Sequence, residues 1–117
     1  MDKVVPLNQN YEFRRAYARG KSEVRSAVVV YALRRPGKTV RVGITATKKV
    51  GCAVERNRAR RLLKESIRSL WPRLKGGYDL VLVSRGKTPH VKCDTVRREL
   101  EDALGALKVL LPEEAAP

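Results

Sequence analysis

Cysteine is nearly absent from this chain of 117 residues, which contains only Cys52 and Cys93. Two cysteines are too few for a disulfide scaffold or a four-thiolate zinc site. No stretch approaches the roughly 18 consecutive apolar residues that a membrane span needs. The N-terminus MDKVVPLNQN lacks the layout of a secretory signal. We therefore expect a reduced protein in the cytoplasm, with no membrane partner.

Groups that carry out catalysis are also scarce. The single histidine, His90, lies in a turn-like segment with no nucleophile motif near it, which favours a surface or capping role. A two-metal nuclease needs several converging carboxylates, yet residues 1–75 contain only Asp2, Glu12, Glu23, Glu55 and Glu65. No phosphate-binding glycine loop is present. The sequence predicts no catalytic side chain and no tightly bound metal.

Positive charge is abundant and unevenly placed. Lys and Arg number 26 against 12 Asp and Glu, a net charge of +14. Residues 1–75 hold 20 of the basic and 5 of the acidic side chains, whereas residues 76–117 hold 6 and 7. A one-sided field attracts a phosphate backbone, so we expect a polyanionic partner. A basic solvated face without a specific ligand is the alternative.

Hydrophobic residues make up 43% of the chain, enough for a folded core. Length and patterning predict one RNA-binding domain over residues 1–117, with loose ends at 1–7 and 112–117. The predicted elements, in chain order, are a helix over 9–19, a hairpin of strands over 24–33 and 39–46, a helix over 53–70, a strand over 78–84 and a helix over 94–111. Asp94 is the expected N-cap of the last helix. This order predicts an α+β layer sandwich.

The helix predicted over 53–70 has two chemically different faces. At about 100° per residue, one arc collects Ala59, Leu62, Leu63, Ser66, Ile67 and Leu70. The opposite arc carries Asn57, Arg58, Arg60, Arg61, Lys64, Glu65 and Arg68. Arg56 points toward the apolar arc from the first turn. Because guanidinium groups make forked bonds to phosphate, we expect the first arc to pack on a sheet and the second to meet phosphates.

Aromatic side chains give a second indication of nucleic-acid binding. Phe13 and Tyr17 lie one helical turn apart with Arg14 between them, and Tyr31 lies in a predicted strand. Each base stacked on an aromatic ring contributes about 1–3 kcal/mol without demanding a sequence. The alternative is that these aromatic residues belong to the core.

The segment over residues 47–65 resembles the signature of the bacterial ribonuclease P protein component. The matching features are Lys48-Lys49, the Arg56-Asn57-Arg58 element, Arg60-Arg61 and the aliphatic pair Leu62-Leu63. The resemblance extends over roughly residues 8–107. Cys52 stands where a small or polar residue such as Asn is expected, which affects only local loop contacts.

The resemblance implies a fold and a function. The fold would be a two-layer α/β sandwich with about four strands, three helices and a left-handed βαβ crossover. The protein would join a catalytic RNA in a ribonucleoprotein that removes the 5′ leader from precursor tRNA. The RNA and its Mg²⁺ ions would carry out the chemistry, and no obligate protein partner is expected.

The resemblance also implies roles for individual residues. The residues expected to bind the catalytic RNA are Lys48, Lys49, Arg56, Asn57, Arg58, Arg60, Arg61, Lys64 and Arg68. Those expected to bind the leader are Phe13, Arg14, Tyr17 and Tyr31.

Three other classes of protein share some of these features. A small basic ribosomal or other RNA-binding protein without a part in catalysis would have similar length and charge. A helix-turn-helix module is disfavoured because strands precede the basic helix. An autonomous metal nuclease is disfavoured by the shortage of carboxylates.

Overall fold

Five strands and three α-helices make up residues 5–7 and 9–111, the part of the chain that the structure, a computed structural model, describes. The strands are β1 (Val5–Pro6), β2 (Lys21–Val24), β3 (Val28–Arg34), β4 (Val40–Thr45) and β5 (Tyr78–Ser84). The helices are α1 (Asn10–Arg19), α2 (Ala53–Leu70) and α3 (Cys93–Ala106). Short 3₁₀ turns lie at Lys48–Val50, Trp71–Arg73 and Thr88–His90.

The strands form one mixed sheet in the order β1-β4-β5-β3-β2. The central strand, β5, runs antiparallel to β3 and parallel to β4, so that Val81 lies between Tyr31 and Gly43. The predicted hairpin between residues 24–33 and 39–46 is therefore wrong. β5 is buried on both faces because helices cover both faces of the sheet at this central strand. The antiparallel partner of β3 across its turn is the short strand β2.

Alternate residues of the strands point to different helical layers. Val28, Val30 and Leu82 belong to the main core with α2 and α3. Tyr31 and Val81 point to the other face, where a smaller cluster packs against α1. The predicted α+β sandwich with three helices is confirmed. α1 covers only part of its face of the sheet, so the rest of that face is open.

The connection from β4 to β5 places α2 against the main core. Parallel neighbours cannot be joined by a tight turn and need a crossover, which α2 supplies between residues 45 and 78. The six apolar-arc residues of α2 are all buried, as the sequence predicted: Ala59, Leu62, Leu63, Ser66, Ile67 and Leu70.

The chain ends differ from the expectation in two places. Residues 5–7 are not loose, since β1 pairs with β4 and Leu7 is buried. The remainder of both predicted loose ends, residues 1–4 and 112–117, lies outside the described residues.

α3 begins at Cys93 with Lys92 as N-cap, so Asp94 lies in its first turn. It ends at Ala106 rather than 111, because Lys108 adopts a φ of 63° that turns the chain away.

Glu99 of α3 fastens the turn between β2 and β3. Its carboxylate accepts hydrogen bonds from the Ala27 amide at 2.7 Å and from the Ser26 hydroxyl at 2.6 Å. Partial burial alone would raise the pKa of Glu99, but these two hydrogen bonds, with help from the charges of Lys87 and Arg25, lower it below the ordinary value of 4.5. The ionised carboxylate therefore stabilises the fold.

Replacing Glu99 with Gln removes this ionised acceptor. A hydrogen bond to a charged group contributes about 1.5–3 kcal/mol, so we expect E99Q to lose about that much unfolding free energy at pH 7. Because the folded pKa is lowered, the contribution is complete above 4.5 and disappears as the pH falls through the folded value. Urea titrations at pH 7 and at a series of lower pH values should therefore show the gap to wild type closing once the pH falls below 4.5. A gap that stays the same across the whole series would contradict the assignment.

Candidate nucleic-acid interface

The N-terminus of α2 is held in place by its own first turn and by the 3₁₀ turn at residues 88–90. The Glu55 carboxylate accepts a hydrogen bond from the Cys52 amide at 3.0 Å and lies 3.2 Å from His90 Nε2. The hydrogen bonds from Cys52 lower the pKa of Glu55, and the charge of His90 acts in the same direction. Arg58 Nε donates to the Pro89 carbonyl at 2.8 Å. These contacts fix the start of the basic helix.

The outer face of α2 is basic and exposed. The exposed residues are Asn57, Arg58, Arg60, Arg61, Lys64 and Arg68, whereas Arg56 is half-buried. Arg60 is held in place by hydrogen bonds to Asn57 Oδ1 at 3.1 Å and to the Ala46 carbonyl at 3.3 Å.

Three cations of this face have no competing partner in the part of the chain that the structure describes. Arg61, Lys64 and Arg68 recur at helical spacing and form one stripe. None of the three makes an ion pair or a side-chain hydrogen bond with any residue of the described ranges, 5–7 and 9–111. We call these three residues the α2 stripe. Its side chains are available to bind phosphates without first breaking a protein contact.

A groove runs over the sheet face that α1 leaves uncovered. One part, of about 520 Å³, is lined by Asn10, Phe13, Arg14, Tyr17 and Thr45. The adjoining part, of about 880 Å³, is lined by Val24, Val29, Tyr31, Thr47, Lys48, Lys49, Val50, Val83, Ser84, Arg85 and Gly86. Tyr17 and Tyr31 meet edge to face at 4.9 Å between ring centroids and join the two parts. We call the whole the aromatic groove.

The four residues predicted for the leader thus lie on one surface. Phe13 is both a groove residue and a core residue, because it lines the groove and also packs against the small cluster under α1. Its ring rests on Gly43, where an added Cβ would lie 2.5 Å from Phe13 Cε1. Gly43 was missed as a site residue, although a glycine inside an apolar strand is a signal of close approach by another group.

Lys48 and Lys49 lie between the two surfaces. Their 3₁₀ turn packs Val50 against Ala59 of the basic helix, and the same turn places both lysines on the wall of the aromatic groove with Tyr31. The Thr47 side chain accepts from the Lys49 amide and caps this turn. Arg85, which the sequence reasoning also missed, lines the same wall. The groove therefore combines aromatic rings with cations.

A buried ion-pair network attaches α1 to the sheet beneath the groove. Asp79 of β5, 1% exposed, accepts two hydrogen bonds from Arg41 of β4, each at 2.9 Å. Arg41 also donates to Glu12 of α1, and Arg35 and Arg15 lie 3.3 and 3.7 Å from Asp79. Burial alone would lower the pKa of Arg41, but Asp79 and Glu12 outweigh it and raise the pKa. The network fixes the position of α1 and hence of Phe13 and Tyr17.

Metal ligands do not converge in the described part of the chain. Across residues 5–7 and 9–111, no group of three His, Cys, Asp or Glu side chains could hold a metal ion. Over these residues, the side chains do not fit a resident magnesium site. None of the helices among these residues is both long and apolar enough to cross a membrane.

A basic α+β protein with a stripe of unpaired cations and an aromatic groove is, as a class, an RNA-binding protein. Comparison with known proteins narrows this class. The "Ribonuclease P" family matches residues 1–108. The ribonuclease P protein component of Clostridium novyi (strain NT) is 41% identical over 106 residues, which cover 89% of this chain and 90% of that protein. That of Thermoanaerobacter sp. (strain X514) is 39% identical over 98 residues, 84% of each.

The fold agrees with this relationship. The Staphylococcus aureus RNase P protein superposes with a TM-score of 0.81 at 27% identity, covering 92% of this chain and 99% of that one. This chain belongs to the bacterial ribonuclease P protein component family. It is the protein subunit of an endoribonuclease that acts in tRNA 5′ processing, and its partner is the RNA subunit.

Replacing Asp79 with Asn tests the network that attaches α1. The substitution removes the buried carboxylate that Arg41, Arg35 and Arg15 share and leaves Glu12 as the one described carboxylate partner of Arg41. Breaking a buried pair costs about 3–5 kcal/mol. The matched control is Asp102→Asn, whose carboxylate pairs with Arg25 at the surface and is 72% exposed. Exposed pairs contribute about 0–1 kcal/mol. Equal losses for the two variants in urea unfolding would contradict the assigned role of Asp79.

Proposed function

We propose that this protein binds the catalytic RNA through the outer face of α2 and the 5′ leader of precursor tRNA through the aromatic groove. The observation that carries the proposal is the separation of these two surfaces. α2 packs on one face of the sheet, whereas α1 and the groove lie on the other. One protein can therefore contact two RNA segments at the same time. In this proposal residues 1–117 act as a single RNA-binding domain.

The chemistry of α2 suits an RNA of fixed structure. Arg60 is oriented by Asn57 and Ala46, and Arg58 by Pro89, so that part of the face is preorganised. The α2 stripe adds three charges without a described partner. Phosphate contacts of this kind position a protein on RNA without reading its sequence.

The chemistry of the groove suits a flexible single strand. Tyr17 and Tyr31 offer ring surfaces, and Arg14, Lys48 and Lys49 supply charge along the walls. Base stacking on such rings tolerates any sequence, which a leader of variable sequence requires. Mature tRNA has no leader, so the groove would favour the precursor over the product.

The protein lowers the magnesium requirement in this proposal rather than holding the ions. Its cations neutralise phosphates where the two RNAs approach, and the Mg²⁺ ions that support cleavage remain on the RNA. The donor set of the described residues agrees with this division. We place the assembled enzyme in the cytoplasm, which is consistent with two unpaired cysteines.

Neutralising the α2 stripe tests its contact with the catalytic RNA. The variant is R61Q/K64Q/R68Q, and each phosphate contact that it loses should flatten the salt dependence. Each phosphate contact contributes about 0.9 to the slope of log Kd against log salt concentration. Each contact that is lost therefore lowers the ratio of Kd at 200 mM salt to Kd at 50 mM salt about threefold. Filter binding to the catalytic RNA at both salt concentrations measures this ratio.

The matched control is K92Q/R97Q/R98Q, which removes the same charge from the region of α3. Arg97 and Arg98 pair there with Asp94. We expect this control to change affinity slightly and to leave the salt slope near the wild-type value. The assignment of α2 would be wrong if both triple variants behaved alike.

Replacing Tyr17 with Ala tests the groove. Loss of one base stack, worth about 1–3 kcal/mol, should weaken binding of precursor tRNA to the holoenzyme about 5- to 150-fold. Binding of the catalytic RNA and of mature tRNA should be unchanged. Tyr11→Ala is the control, since Tyr11 is also an exposed tyrosine of α1 but is not among the groove-lining residues. If Y11A and Y17A lost precursor affinity equally, the leader would not lie in this groove.

A further inference from the structure

A third group of cations converges at the opposite end of the sheet from the aromatic groove. Arg19, Lys21 and Arg34 surround a cavity of about 330 Å³ together with Tyr78. Ala32, Leu33 and Leu107 complete its lining. We call this the basic pocket. None of these residues was assigned to a site by the sequence reasoning.

The strand register explains why these side chains meet. Lys21 pairs with Ala32, and Arg34 pairs with Tyr78 on the next strand. Arg19 ends α1, and the following Gly20 lies so close to β3 that a Cβ there would be 2.9 Å from the Ala32 carbonyl. The end of α1 is therefore held against the edge of the sheet, and its charge is directed to the same place.

The three cations lack carboxylate partners among the described residues. Other arginines of this chain are paired, as Arg25 is with Glu23 and Asp102. No ion pair or side-chain hydrogen bond to a described residue is made by Arg19, Lys21 or Arg34. A cation in the last turn of a helix is favourable by itself, which accounts for Arg19 alone. Like charges gathered on neighbouring strands are unfavourable, so an anion is the missing element.

We propose that the basic pocket binds a phosphate group of an RNA backbone and is a third RNA contact of this protein, an inference that rests on the proposed function. Two guanidinium groups and one ammonium group supply the charge, and the Tyr78 hydroxyl is an additional donor. Guanidinium groups suit phosphate oxygens because they bind them in a forked geometry.

The position of the basic pocket makes it separate from both other surfaces. Tyr31 lines the aromatic groove and Arg34 lines the basic pocket, three residues further along β3. At about 3.3 Å per residue these positions are about 10 Å apart, and their side chains point to opposite faces of the sheet because side chains alternate along a strand. Ala32, Tyr78 and Leu107 of the basic pocket lie on the main-core side of the sheet, where α2 also packs, but no residue of α2 lines the basic pocket. Lys38 and Lys75, both exposed, lie on loops at the same end as Tyr78 and extend the basic surface. The basic pocket can therefore bind a phosphate that neither of the other two surfaces contacts.

The test is a neutralised variant, R19Q/K21Q/R34Q, measured in two binding reactions. The first is binding of the protein to the catalytic RNA, and the second is binding of precursor tRNA to the assembled holoenzyme, each at 50 and 200 mM salt. In the affected reaction, one lost phosphate contact should lower the ratio of Kd at 200 mM salt to Kd at 50 mM salt about threefold. Loss in the first reaction identifies the catalytic RNA as the source of the phosphate, and loss only in the second identifies precursor tRNA.

Two further variants make the result specific. K92Q/R97Q/R98Q removes the same charge outside the basic pocket, and R19K/R34K retains the charge and should keep most of the affinity. Thermal unfolding of each variant checks that the fold is intact. If R19Q/K21Q/R34Q matches the K92Q/R97Q/R98Q control in both reactions while R61Q/K64Q/R68Q still weakens RNA binding, the basic pocket is not an RNA contact and the proposed function stands. If R61Q/K64Q/R68Q also has no effect, the proposed function itself fails.

Discussion

The buried carboxylate of Asp79 is the constraint on which the RNA-binding surfaces depend. It joins β5 to Arg41 of β4, and Arg41 in turn reaches Glu12 of α1. The apolar cluster under α1 is small, and apolar contact is non-directional. The ion pairs therefore determine where α1 lies along the strands. A shift of α1 would move Phe13 and Tyr17 from the groove and Arg19 from the basic pocket together.

The charges of the described chain fall into two groups with different tasks. One group is paired, such as Arg41 with Asp79 and Arg73 with Glu101, and maintains the fold. The other group has no described carboxylate partner and gathers on the α2 stripe, along the aromatic groove and around the basic pocket. Exposed ion pairs contribute little to stability, so leaving these cations unpaired costs the fold little. It leaves their donors free for phosphate.

The sequence predicted what depends on local periodicity and missed what depends on distant pairing. The two faces of α2 follow from helical spacing, so the buried arc from Ala59 to Leu70 was predicted residue by residue. The pairing of β3 with β5 joins segments about fifty residues apart and could not be read from either strand alone. Lys48 and Lys49 were grouped with α2 because they precede it in the chain, and their 3₁₀ turn also places them on the wall of the groove. The basic pocket escaped notice because Arg19 and Arg34 meet only through the β2–β3 register.

Reconstitution tests the central claim most directly, since it asks the protein to support cleavage that it cannot carry out alone. The purified protein is mixed with a bacterial ribonuclease P RNA and a 5′-labelled precursor tRNA, at a magnesium concentration where that RNA alone is nearly inactive. Controls omit the protein or the RNA. The account predicts cleavage at the mature 5′ end only when both are present. Tight RNA binding without rescue of cleavage, or cleavage by the protein alone, would contradict it.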